Sequence, residues 1–207
     1  MGKSKKVLLV GSSGMLGRAM RDALTDRKYK LLDPVQEEFD ITDQELVLEY
    51  LRHNWPDIVI NCAGVTDIDE NEEEEELWPE LVNFYGPTVL ANLAKDMGLK
   101  LVSFSCHQVF DGHAREPYEE GDTIAPLNAY GKFKAEAEKV VRSYCPESLV
   151  VRTSLLFGPG RTNFVSLIAR KAQLNEEIEL PADVFVNPSY SLDVAKAVVQ
   201  LLEQDAK

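Results

Sequence analysis

Short unbroken apolar runs alternate along the chain with stretches in which apolar residues return every three or four positions. The first run, residues 6–10 (KVLLV), is β-branched and leucine-rich and ends at Gly11, the pattern of a buried strand. Met15, Leu16, Ala19, Met20, Ala23 and Leu24 follow at helical spacing, which predicts an amphipathic helix over 14–26. Residues 30–33 predict a second strand. Thr42 and Glu45 form a capping-box pattern ahead of Leu46, Val47, Tyr50 and Leu51, and that helix stops near Trp55-Pro56. Residues 57–63 and 100–105 predict the third and fourth strands. Between them a helix is expected over 79–97, bent at Gly86-Pro87. A loop rich in Asp, Gly and Pro at 111–128 precedes a helix over 130–144, with Tyr130, Phe133, Ala137, Val140 and Val141 on one side. A fifth strand over 148–153 and helices over 163–174 and 191–204 follow.

This order predicts an α/β fold, a parallel sheet with helices on both faces, in one domain over 1–207. With 44% hydrophobic and 28% charged residues, disordered, collagen-like and coiled-coil classes are excluded. The formal charge is −13, of which −9 sits on residues 67–80. Nucleic acid and anionic membrane are therefore not expected as partners. The acidic run itself reads as a solvated loop or the frayed start of a helix. Three cysteines (Cys62, Cys106, Cys145) and three histidines share no metal-type spacing, so no metal is expected. Free thiols, a first apolar run too short for a signal peptide and no run of ~20 apolar residues make the cytoplasm the expected location.

Chemistry enters at the first turn. Gly11-Ser12-Ser13-Gly14-Met15-Leu16-Gly17 is a G-x-x-G-x-x-G loop between a predicted strand and a predicted helix. Glycines there permit a tight turn, close approach of a pyrophosphate to the backbone, and close packing of helix on sheet. The helix N-terminus then offers N–H groups and a positive dipole end to phosphates. Asp33, at the end of the second strand, is placed either to accept hydrogen bonds from an adenosine ribose or simply to end the strand. Arg18, directly after the last glycine, would instead meet a 2′-phosphate, so NAD and NADP both stay open. Tyr130 and Lys134 stand four apart on one helix, where a cation near a phenol lowers its pKa and eases proton transfer. Tyr130 also falls on the apolar stripe, which leaves core packing as its other reading.

These motifs resemble the extended short-chain dehydrogenase/reductase family, through the glycine loop, Asn61-Cys62-Ala63-Gly64, Asn83 before Gly86, and Tyr130-Gly131-Lys132-Phe133-Lys134. Further matches resemble its dTDP-4-dehydrorhamnose reductase branch: Phe39-Asp40-Ile41-Thr42-Asp43, PDIVINCAG, VFDG at 109–112, Pro126-Leu127-Asn128-Ala129-Tyr130-Gly131, VVRTSLLFG and Asn163-Phe164-Val165. The likeness runs from about residue 6 to about residue 200. It implies a Rossmann-like, doubly wound domain that binds NADP or NAD. The implied cofactor set is Gly11, Ser13, Gly14, Met15, Leu16, Gly17, Asp33, Asp40, Ile41, Cys62, Ala63, Gly64 and Asn83, with Tyr130 and Lys134. Tyr130 would be the acid and Lys134 would hold the nicotinamide ribose. His107, Asn163 and Phe164 would meet substrate.

Two departures from the branch pattern matter. Where the branch carries Ser-Thr-Asp-Tyr before VFDG, this chain has Ser105-Cys106-His107-Gln108, which puts a thiol, Cys106, at the catalytic hydroxyl position. A thiol is a weak donor, and strand alternation turns Ser105 to the other side. The branch also runs on beyond the point where this chain stops, which leaves 155–190 as a reduced substrate-side lobe. The leading expectation is an NAD(P)-dependent reductase of a keto-sugar nucleotide, with a homodimer as its assembly. The alternative is a non-catalytic NAD(P)-binding regulatory or scaffold protein, resembling the regulatory subunit of methionine adenosyltransferase.

Overall fold

In the computed structural model, which describes residues 4–27, 29–73 and 77–205, the apolar runs form one parallel sheet. Its strands are β1 (Lys6–Val10), β2 (Lys30–Leu32), β3 (Ile58–Asn61), β4 (Lys100–Cys106) and β5 (Leu149–Thr153), in the order β2-β1-β3-β4-β5. The order steps outward from β1 in both directions, so helices cover both faces and a crevice opens where the direction changes. Alternation along β1 divides the core. Leu8 and Val10 face Val47, Leu51, Leu90 and Val141, whereas Val7 and Leu9 face Met20, Leu24, Ala195 and Val199.

The helices are α1 (Met15–Asp26), α2 (Gln44–Asn54), α3 (Ile68–Glu72), α4 (Trp78–Glu80), α5 (Gly86–Met97), α6 (Ala129–Tyr144), α7 (Phe164–Gln173) and α8 (Ser191–Glu203). Two local expectations are corrected. The cap of α2 is Asp43, whose carboxylate accepts from Glu45 N and Leu46 N at 3.0 Å each. Thr42 instead bonds Asp40 Oδ1, because the Asp40 turn captures it first. The bend expected at Gly86-Pro87 is absorbed by a π-helical stretch, Leu81–Tyr85, joining α4 to α5. Pro87 lacks an N–H and its ring crowds the carbonyl four residues back, and the wider π turn relieves both.

The described part of the acidic run is ordered against the fold. Asp67 caps α3, and Glu72 accepts a hydrogen bond from Ala129 N, at the start of α6 (2.6 Å). Residues 74–76 lie outside the described residues. Beyond β5, two short strands, β6 (Leu156–Phe157) and β7 (Ser189–Tyr190), pair in parallel around α7. α7 buries no residue, and Phe185 after it is 93% exposed. Among the described residues, no helix is long and apolar enough to cross a membrane.

Candidate active site

The turns that follow β1, β3 and β4 line two adjoining clefts at the carboxyl ends of the strands, of about 510 and 410 Å³. Both volumes are in the range of small-molecule sites. The first cleft is walled by Gly11 to Gly14, Arg21, Asp33, Asp40, Ile41 and Trp78. The second is walled by Met15, Leu16, Ser105, Cys106, His107, Tyr130, Lys134, Asn163 and Phe164. Gly14, Cys62, Ala63, Gly64 and Arg161 line both, so the clefts form one continuous trough.

The glycine loop is built on contacts that a side chain would break. Gly11 adopts φ +72°, and a Cβ there would lie 2.6 Å from Ala63 N. A Cβ on Gly17 would lie 2.1 Å from Gly11 O, so Gly17 lines neither cleft but lets α1 pack against the turn. Gly14 caps α1 and would meet nothing closer than 3.4 Å. This is a cradle open on its ligand side, and it fits a dinucleotide's diphosphate.

At the outer end of the first cleft, Asp33 is paired with Arg21 at 2.8 Å, and Arg21 also donates to Ser12 Oγ at 2.9 Å. Sequence reasoning missed Arg21. It lies within α1 and is brought to Asp33 only by the way α1 packs beside β2. Arg18, expected near a 2′-phosphate, is committed elsewhere. Its Nε donates to Ser13 O at 2.9 Å and its Nη1 to Gly160 O at 3.2 Å.

In the second cleft, Tyr130 on α6 is half-buried and its hydroxyl is in hydrogen-bonding contact with the Cys106 thiol. Lys134, one turn on, is buried, with Cys106, Glu138 and Cys62 around its amine. Burial raises the Tyr130 phenol above its usual range, and Cys106 adds to that. The lowering expected from Lys134 is not what the site produces; burial and Cys106 set the direction. Burial likewise lowers the Lys134 ammonium, against the pull of Cys106, Glu138 and Cys62, and raises Cys106 and Cys62. The phenol therefore stays protonated at neutral pH, the form a proton donor needs.

Other expected residues fall into place differently. Asn83 lines neither cleft. It is fully buried, and its amide is spent on Val65 N, Val65 O and Asn71 Oδ1, so it fixes the loop after β3 from behind. Asn163 lines the second cleft, but its side chain caps α7 and bonds Gly158 O and Arg161 O. Phe164 stands beside it, 40% exposed. His107 Nδ1 is buried without a partner, and desolvation lowers the pKa of its ring. Ser105 is among the residues of the cleft wall, and its Oγ is also buried and unpartnered. Among the described residues, no cluster of His, Cys, Asp or Glu could hold a metal ion.

The profile of the RmlD substrate binding domain family matches residues 5–207. The chain belongs to that family. It is 34% identical over 200 residues to a dTDP-4-dehydrorhamnose reductase of Aggregatibacter actinomycetemcomitans, covering 96% of this chain and 68% of that protein. A crystal structure of a dTDP-4-dehydrorhamnose reductase from Clostridium acetobutylicum superposes with a TM-score of 0.91 at 32% identity, covering 97% of this chain and 71% of the other. One from Bacillus anthracis, in complex with NADP, gives 0.92 at 30% identity, covering 98% of this chain and 72% of the other. The RmlD fold is thus reproduced over nearly all of this chain, which spans about 70% of these relatives' length.

Proposed function

We propose that this protein is an NAD(P)H-dependent reductase of a keto-sugar nucleotide, of the dTDP-4-dehydrorhamnose reductase type. The observation that carries it is a continuous trough with a glycine cradle midway and, together at one end, a half-buried phenol with a buried amine and thiol. Family membership supports the same reading, as do the names of the relatives.

A bound NADH or NADPH supplies the hydride that reaches the carbonyl carbon. The chain's own residues do the rest. Gly11 to Gly14 would seat the diphosphate at the start of α1, and the small residues Ala63 and Gly64 would allow close approach along the trough. At the adenosine end, Asp33 would accept from the ribose hydroxyls of NAD, and Arg21, now paired with Asp33, would supply a cation for the 2′-phosphate of NADP. Tyr130 donates its O–H proton to the substrate oxygen as the carbonyl becomes an alcohol. The Lys134 ammonium stabilises the phenolate that Tyr130 leaves behind. Cys106 takes the hydroxyl's place beside the substrate oxygen. Residues 155–190, within the single domain 1–207, form the substrate side through Asn163 and Phe164, and His107 faces the same cleft. The three free cysteines fit a cytoplasmic location, and the exposed apolar side chains around α7 give a homodimer a surface.

The test is turnover. Purified protein given dTDP-4-dehydrorhamnose should consume NADH or NADPH stoichiometrically with the alcohol formed. Cofactor binding with no turnover on this or any related keto-sugar nucleotide would favour the non-catalytic alternative.

A further inference from the structure

Arg161 stands where the two clefts meet and lines both of them. Its guanidinium makes no hydrogen bond or ion pair among the described residues. Only its backbone carbonyl is used, accepting from Asn163 Nδ2 at 3.0 Å. The turn that carries it is fixed to the glycine loop. Gly160 holds φ +96°, and Arg18 spans from Ser13 O to Gly160 O. A Cβ on Gly160 would press on the Arg18 side chain at 3.2 Å, so the strap and the glycine fit each other. Arg161 thereby follows directly on a turn tied to the glycine loop, and it shares with Gly14 the lining of both clefts.

The other cations around the trough are committed. Arg18 is the strap itself, Arg21 is paired with Asp33, and Lys134 is buried at the far end. A dinucleotide lying along the trough crosses the junction with its diphosphate, the charged bridge common to NAD and NADP. The glycine loop, Gly11 to Gly14, carries backbone groups and the uncharged Ser12 and Ser13 side chains but no cation to meet that charge. A guanidinium matches phosphate oxygens with two parallel donors.

We infer that Arg161 is a diphosphate-binding residue, closing over the cofactor's phosphate bridge from the substrate-side lobe. The inference rests on the cofactor reading above and adds to it a residue with no sequence motif of its own.

Calorimetric titration of the full chain with NADH, ADP-ribose and adenosine tests it. For Arg161→Ala, the dissociation constants of NADH and ADP-ribose should rise about tenfold, as expected for a lost charge-assisted pair, while adenosine binding stays unchanged. The affinity should also fall less steeply with salt than in the wild type. Arg161→Lys should recover part of the loss, and the unliganded melting temperature should not move, since the residue is exposed and its guanidinium has no hydrogen bond or ion pair among the described residues. NADH bound equally well by Arg161→Ala and wild type overturns the inference. So does a rise confined to the KM of the nucleotide sugar, which would assign the guanidinium to the substrate's diphosphate. A weakening shared equally by adenosine would mark a distorted cradle and overturn it as well. A wild type that binds neither NADH nor NADPH would refute the cofactor reading itself, an outcome distinct from all of these.

Discussion

Cys106 is the residue whose chemistry departs furthest from its role. It touches the Tyr130 hydroxyl, is 6% exposed, and burial raises its thiol pKa, so it stays a neutral, weak donor. In well-studied enzymes, removing one good donor to a developing oxyanion costs roughly 10²–10³ in rate. Cys106→Thr should therefore raise kcat about tenfold or more, read from steady-state NADH oxidation, with the fold unchanged. An unaltered kcat would mean that position 106 does not face the reacting oxygen. Tyr130 and Lys134 were legible in sequence because four residues on a helix make neighbours. The direction of the Tyr130 shift was not, because it follows from burial, which spacing does not report. Asp33 was legible as a strand-end acid. Its neutralisation by Arg21 depends on packing between two elements and leaves no local signature.

α6 sets the site's floor as an element. Tyr130, Lys134 and Glu138 repeat at four-residue intervals and share one face. Asn128 caps the helix through Gly131 N at 2.7 Å, and Gln108 O passes so close to Gly131 that a Cβ would lie 2.2 Å from it. That approach brings the end of β4, with Cys106, against Tyr130. Glu138 anchors the far side by taking both Nε and Nη2 of Arg152, at 2.9 and 2.7 Å. Its side chain is 3% exposed and that of Arg152 15%. Glu138→Ala leaves the guanidinium without its counter-charge in a largely dry setting. It should lower unfolding free energy by about 3 kcal/mol in a urea titration. A loss under about 0.5 kcal/mol would show that the pair is solvated in solution. Element types and order were readable from periodicity, since 2- and 3.6-residue repeats are properties of the sequence itself. The cap at Asp43 and the π stretch at Leu81–Tyr85 were not, because each is chosen among near-equal local hydrogen bonds by the surrounding packing.

Across the whole molecule, two regions differ in character. The sheet and the helices α1, α2, α5, α6 and α8 bury two continuous apolar cores, and the glycine loop packs tightly beside them, with Gly11 against Cys62 and Ala63. The lobe around α7 buries nothing, yet it contributes Arg161, Asn163 and Phe164 to the trough. The cofactor side was legible because its demands fall on backbone geometry, which only glycine satisfies. The lobe side was legible only in part, because an exposed arginine in a turn carries no pattern. What joins the regions is the placement of one acid beside the trough. The most direct test of that claim is single-turnover reduction of dTDP-4-dehydrorhamnose by wild type and Tyr130→Phe, each saturated with NADH. With both proteins saturated, the rate should be lower by roughly 10²–10⁴ in the variant, the usual worth of a positioned proton donor. A variant that reduces the sugar at the wild-type rate would contradict that claim.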